Sequence, residues 1–161
     1  MSARVEELIG ALALEPHPEG GWFREIHRST QEVAPLDERG RRSALTGIYF
    51  LLARGQHSAW HRVESDELWI HFEGDGVRLW TFDAASGEVD STLLGPLGGE
   101  NEPQRAVAAG LWQAAEPLGD YSLTGAAVGP GFDFADFRLL DADPEARARL
   151  SAAAPELLRL A

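Results

Sequence analysis

Apolar residues recur along this chain in two rhythms. Val5, Leu8, Ile9 and Leu12 fall at helical spacing behind Ser2, which predicts a short amphipathic helix over residues 2–14, opened by a serine cap and stopped by Pro16. After a turn at His17-Pro18-Glu19-Gly20-Gly21 the rhythm changes to alternation. It predicts strands at residues 22–29, 44–53, 57–62, 67–73, 77–83, 89–94, 105–108, 112–115, 122–128 and 136–140. Between the first two, residues 30–42 are polar, carry Pro35 and Gly40, and read as a mobile loop. Asp143-Pro144 opens a C-terminal helix that Pro155 interrupts. Short strands divided by glycine-rich turns predict an all-β sandwich or barrel rather than an α/β fold. No linker or internal repeat divides residues 1–161, so one domain is expected, with a barrel core over about residues 17–140. Gly74-Asp75-Gly76 lies between strands with no helix behind it, and is expected as a hairpin turn rather than a dinucleotide loop.

Composition narrows the chemistry. A hydrophobic fraction of 44% over 161 residues is that of a soluble globular domain with a proper core. No apolar stretch approaches the length of a membrane span and no signal-peptide pattern opens the chain, so a cytoplasmic protein without a membrane partner is expected. The absence of cysteine excludes disulfides, thiolate metal ligands and cysteine nucleophiles. All 14 basic residues are arginine, which excludes lysine Schiff-base chemistry. The net charge of −12 argues against a nucleic-acid partner, because phosphate binding needs a basic face.

Candidate chemistry gathers between Gly55 and Gly74, where His57, His61, Glu67 and His71 fall within one glycine-framed stretch. Alternation places Glu67, Trp69 and His71 on one face of their strand, and His61 with Val63 on one face of the strand before. An in-register hairpin would bring His61, Glu67 and His71 together inside a barrel. Glu67 in an otherwise apolar strand needs a partner or a ligand to offset its desolvation. Without metal, His61 serves as general acid or base, Glu67 sets its tautomer or pKa, and Gln113 is a hydrogen-bond partner. Arg24 and Glu25 point to opposite faces of the first strand, and Arg24 at the pocket mouth would suit a phosphate or carboxylate. Phe132 and Phe134 serve either as core packing or as a pair flanking a ring-shaped ligand. Trp69 serves either as core or as a stacking platform.

From Gly55 to Gly74 the spacing resembles the first cupin motif, with Val63 in place of its second histidine. Gln113 stands where the second motif would place its last metal histidine. Across residues 17–140 the chain resembles the cupin-5 family, a cupin domain of unknown function. The resemblance is carried in order by His17-Pro18-Glu19-Gly20-Gly21-Trp22-Phe23-Arg24-Glu25, Thr46-Gly47-Ile48-Tyr49-Phe50-Leu51-Leu52, and Trp60-His61-Arg62-Val63 with Ser65-Asp66-Glu67-Leu68-Trp69. Gly110-Leu111-Trp112-Gln113-Ala114 and Pro130-Gly131-Phe132-Asp133-Phe134-Ala135-Asp136-Phe137 complete it. It implies a cupin double-stranded β-helix, a jelly-roll barrel similar in fold to the sugar-nucleotide epimerases, with short N- and C-terminal helices. It further implies a homodimer and a pocket for a small molecule such as a sugar, a nucleotide or another anionic metabolite. His61 and Glu67 are then the catalytic candidates; Arg24, Trp69, His71, Gln113 and Phe132 are the ligand-binding ones. No metal or other cofactor is expected. A divalent ion, if bound, would fall to His61, Glu67 and Gln113, a poor trio because an amide oxygen is a weak ligand for the metals imidazole prefers. Three functions follow: a metal-free sugar or sugar-nucleotide isomerase or epimerase, a non-catalytic metabolite-binding module, and a metal-dependent cupin enzyme. An epimerase of this shape would pair His61 with a tyrosine acid, for which only Tyr49 and Tyr121 are available.

Overall fold

The alternating segments become strands of two antiparallel sheets in a computed structural model that describes residues 1–161. In chain order these are α1 (Ala3–Leu12), β1 (Glu15–Pro16), β2 (Trp22–Arg28), β3 (Glu32–Val33), β4 (Arg42–Ser43), β5 (Thr46–Ala53), β6 (Ser58–Val63) and β7 (Asp66–Gly74). There follow β8 (Val77–Phe82), β9 (Val89–Leu94), β10 (Gln104–Val107), β11 (Trp112–Pro117), β12 (Tyr121–Gly129), β13 (Phe137–Leu139) and α2 (Pro144–Ala153), with 3-10 turns around the last two. One sheet has the order β1-β2-β5-β12-β7-β10 and the other β13-β6-β11-β8-β9. The expected all-β class with a short helix at each end is what the chain forms.

Both faces of each sheet carry buried residues. Between the sheets lie Phe50, Leu52, Trp69, Leu79, Val107 and Ala115. Part of the outer face of the six-stranded sheet is covered by Val5 and Leu8 of α1 and by Leu14 just after it, which pack on Leu51 and Leu123. The outer face of the five-stranded sheet is covered by the C-terminal helices, where Trp60 and Trp112 pack on Leu150, Leu157 and Leu160. The Trp60 indole donates to the Leu157 carbonyl at 2.9 Å, fixing the C-terminus to β6. Ser2 caps α1 by accepting from Val5 N–H. The helix ends before residue 14 because Ala13 turns left-handed, with φ 50°. No helix is long and apolar enough to cross a membrane.

Three local expectations change. β6 and β7 lie in opposite sheets, so the expected hairpin between them does not form. The same holds for β7 and β8, and Gly74-Asp75-Gly76 is a crossing between sheets rather than a hairpin turn. Residues 30–42 are not a free loop: β3 pairs with β4. Arg42 makes two hydrogen bonds to the buried Asp136 carboxylate, at 2.8 and 2.7 Å, and Arg39 adds one at 3.3 Å.

Candidate functional site

Because β6 and β7 face one another across the barrel, His61 and Glu67 meet from opposite sheets at the end of a cavity of about 260 Å³. Its walls are largely aromatic, with Phe23, Phe50, Trp69, Phe132, Phe134 and Phe137 among them. Val63, in the position of the missing histidine, also lines it.

The polar floor has a member that the alternation pattern does not reveal. Glu19 enters the cavity from the turn before β2. That turn is closed by His17 N–H on the Gly21 carbonyl and by Gly20 N–H on the His17 carbonyl, at 3.1 and 3.0 Å. It is seated on β6, where Ala59 N–H donates to the Glu19 carbonyl at 2.8 Å. Gly20 and Gly21 take positive φ values of 106° and 69° there, and a side chain at Gly20 would overlap the His57 carbonyl. The Glu19 carboxyl accepts from Ser58 Oγ at 2.8 Å. Its other oxygen lies 3.3 Å from His61 Nε2 and 3.6 Å from His17 Nδ1. His61 Nδ1–H donates to the Ala59 carbonyl at 2.8 Å, which fixes the tautomer and leaves Nε2 as the basic nitrogen toward Glu19. Phe137 stacks on the His61 ring at a centroid distance of 5.5 Å.

Glu67 is braced from behind. Gln113 Nε2 donates to Glu67 Oε2 at 2.6 Å, and Gln113 Oε1 accepts from the Trp69 indole at 2.8 Å. Both ends of the amide are therefore engaged, and Gln113 ties the five-stranded sheet to two residues of β7 rather than lining the cavity.

Burial governs the protonation of this cluster. Desolvation pushes both Glu19 and Glu67 up to about 7; His17 and Ser58 oppose it at Glu19, and His61 and Gln113 oppose it at Glu67. Desolvation also pulls His61 and His17 below the ordinary histidine range, against the attraction of Glu67 and Glu19 respectively. Near neutral pH the floor thus holds neutral imidazoles beside carboxyls that retain part of their protons.

At the mouth, Arg28 makes two hydrogen bonds to Glu25, at 3.0 and 2.7 Å, and a third to the Phe132 carbonyl at 3.0 Å. The register of β2 shifts between Glu25 and His27, so Phe23, Glu25 and then Arg28 face the cavity. Arg24 faces away, and its guanidinium donates to the Leu12 carbonyl at the end of α1. His71 is also off the cavity, with Nε2 donating to the Asp75 carbonyl at 3.2 Å. Of the residues singled out in the sequence, His61, Glu67, Trp69 and Phe132 come together; Arg24, His71 and Gln113 do not line the cavity. Glu19, His17, Glu25 and Arg28 join instead. The one signal for Glu19 and His17 was their place in the glycine-framed turn. Neither tyrosine reaches the floor: Tyr121 donates to Glu73 at 2.8 Å, and Tyr49 packs edge-on against Phe72.

The donors present do not fit the metal centre common among cupins. Val63 offers only methyl groups, Gln113 spends its oxygen on Trp69, and no three His, Asp or Glu side chains are grouped to hold an ion.

A family model described as Cupin superfamily (DUF985) matches residues 6–140. Among solved structures, a hypothetical protein from Leishmania major is 30% identical with a TM-score of 0.78, covering 96% of this chain and 94% of that one. A crystal structure of a Shewanella oneidensis protein is 32% identical with a TM-score of 0.78, over 96% of this chain and 92% of that one. Oxalate decarboxylase from Bacillus subtilis shares the fold alone, at 14% identity and a TM-score of 0.57, over 78% of this chain and 29% of the enzyme. Comparison with curated proteins finds no match.

Proposed function

Because this chain belongs to the cupin-5 family, whose model spans residues 6–140, we propose that its barrel binds one small ring-shaped molecule and moves a proton on it. The reaction class is isomerisation or epimerisation without a resident metal. The observation that carries this reading is the approach of His61 Nε2 to Glu19 Oε2 at 3.3 Å in a cavity that Glu67 also lines. Groups of different protonation state facing one enclosed space are the arrangement general acid–base chemistry requires. His61, held by the Ala59 carbonyl, takes the proton from substrate carbon at Nε2. Glu67 supplies a proton to the substrate, and Glu19 stabilises the imidazolium that forms. A cavity of about 260 Å³ accommodates roughly nine waters' volume, so of a sugar nucleotide only the sugar would be enclosed.

Solvent deuterium reports this reaction whatever its product is. Wild-type protein in D2O, incubated with a panel of sugars and cyclic carbonyl compounds, is expected to label one carbon-bound position by NMR. His61→Ala should abolish labelling with an unchanged far-UV spectrum. No labelling of any compound by wild type would sink the catalytic reading. A non-catalytic binding module is then the second reading, favoured by the exclusion of both tyrosines from the floor. Elemental analysis of protein purified without chelator tests the metal-free part: a stoichiometric divalent ion that is lost in Glu67→Ala would overturn it.

A further inference from the structure

The charge lining the cavity is one-sided. Four carboxyl side chains, Glu19, Glu25, Glu67 and Asp133, line it against a single guanidinium, Arg28. Arg28 is not free to receive an anion, since its three nitrogens are engaged by Glu25 and the Phe132 carbonyl. The two histidines add no offsetting charge, because both rings sit in a desolvated floor that favours their neutral form. Glu67 is only 7% exposed, and its single hydrogen bond, from Gln113, uses one of two oxygens. Around these carboxyls stand aromatic faces and edges: Phe132 meets Phe134 edge-on at 5.0 Å, and Phe137 lies 5.9 Å from Phe132 and 6.0 Å from Phe134. Aromatic walls with buried carboxyls attract positive charge twice over, through the ring quadrupole and through direct ion pairing. An anion entering here would lose its hydration and meet carboxylates with no free cation to receive it.

We infer that the ligand of this cavity is a small organic cation, a ring or compact apolar body carrying an ammonium or amidinium group that meets Glu67 and Glu19. This rests on the reading of the cavity as the ligand site and replaces the anionic metabolite expected from Arg24. The apolar body lies against Phe132 and Phe137, and the cationic end reaches the floor, where Glu67 offers its unengaged oxygen. Arg28 and Glu25 compensate one another at the mouth and leave the floor's charge to the ligand.

Benzamidine, benzamide and benzoate share one ring and one planar head group but carry +1, 0 and −1, and each is small enough for the cavity. Isothermal titration at pH 8 in low salt is expected to give benzamidine at least tenfold tighter than benzamide, with benzoate not binding measurably. Glu67→Gln should weaken benzamidine at least tenfold while moving benzamide less than threefold. Val63→Trp, which puts an indole into the cavity and removes no carboxylate from the sequence, should abolish binding of benzamidine, with circular dichroism to check the fold. Benzoate binding as tightly as benzamidine, binding by none of the three, or benzamidine binding that survives Val63→Trp would each overturn the inference. Failure of deuterium labelling with this charge order intact removes the catalytic reading and leaves the cation site standing. Labelling of a substrate together with preference for benzoate removes the cation site alone.

Discussion

Glu67 and Glu19 are carboxyls that the fold keeps almost wholly from water, and that has a consequence measurable without any ligand. Burial raises both to about 7, so the native state holds these protons to a higher pH than the unfolded chain does. Their contribution to stability is therefore present below the ordinary carboxylate range and lost as pH rises through about 7. His17 and His61, held below the ordinary histidine value, act in the opposite sense: their contribution is lost as pH falls through the histidine range. Replacing Glu67 by glutamine keeps the shape and removes the ionisation, so Glu67→Gln should melt roughly 5 °C higher than wild type at pH 8, with little difference near pH 4.5. A melting difference of the same size at both pH values would show that ionisation is not its cause. Gln113 belongs to the same account. Gln113→Leu leaves the Trp69 indole and the Glu67 carboxyl without their partner, at a cost of about 1–3 kcal/mol for each buried group, and pushes Glu67 further upward.

Among the elements, the turn before β2 decides whether the site exists. Gly20→Ala asks a side chain to adopt φ 106° and to overlap the His57 carbonyl, so the turn must move and carry Glu19 away from His61. The variant should melt roughly 10 °C lower than wild type. The control is Gly10→Ala in α1, which meets nothing within 4 Å and should be neutral or slightly stabilising. Equal melting of the two variants would remove the turn from the account. The same elements show what the sequence made legible. Alternation finds nearly every strand of the barrel, and the glycine frame brings His61, Glu67 and Trp69 to one place. Period two reports which side of a strand is buried but not which strand lies beside it, so it suggests a hairpin of β6 and β7 although they face each other across the core. It also fails at a shifted register: after the irregularity between Glu25 and His27, Arg28 rather than His27 follows Phe23 and Glu25 into the cavity wall. Glu19 is hidden for a different reason. It sits in no periodic segment, and a glutamate in a Pro-Glu-Gly-Gly turn carries no signal of burial until β6 closes over it. Residues 30–42 look unstructured because their order comes from Arg39 and Arg42 reaching Asp136, 94 or more positions away.

At the scale of the whole molecule, the six-stranded sheet leaves apolar surface that one chain does not cover. Beyond Phe23, β2 has no outer neighbour, because β1 pairs with only its first two residues. On the face of that sheet away from the cavity, Ile26 is 52% exposed and Phe72 49% exposed, over glycines 47 and 125 of β5 and β12 that give them a flat seat. A second copy of the chain packed across β2 would bury both side chains and bring edge backbone under cover, which is the homodimer expected from the family resemblance. Its electrostatics oppose it: each chain carries a net charge of −12, so two copies repel, and at physiological ionic strength salt screens that repulsion between charges more than about 8–10 Å apart. Light scattering should therefore give twice the chain mass, with a dissociation constant that falls as sodium chloride rises from about 20 to about 300 mM. Ile26→Arg combined with Phe72→Arg places two cations opposite their own copies in the same apolar patch. It should yield a monomer whose far-UV spectrum and cavity binding are unchanged, since neither residue lines the cavity. A monomeric mass for the unsubstituted protein at all salt concentrations would refute the assembly; a dimer that survives both arginines would move its interface elsewhere, to a surface that these side chains do not touch.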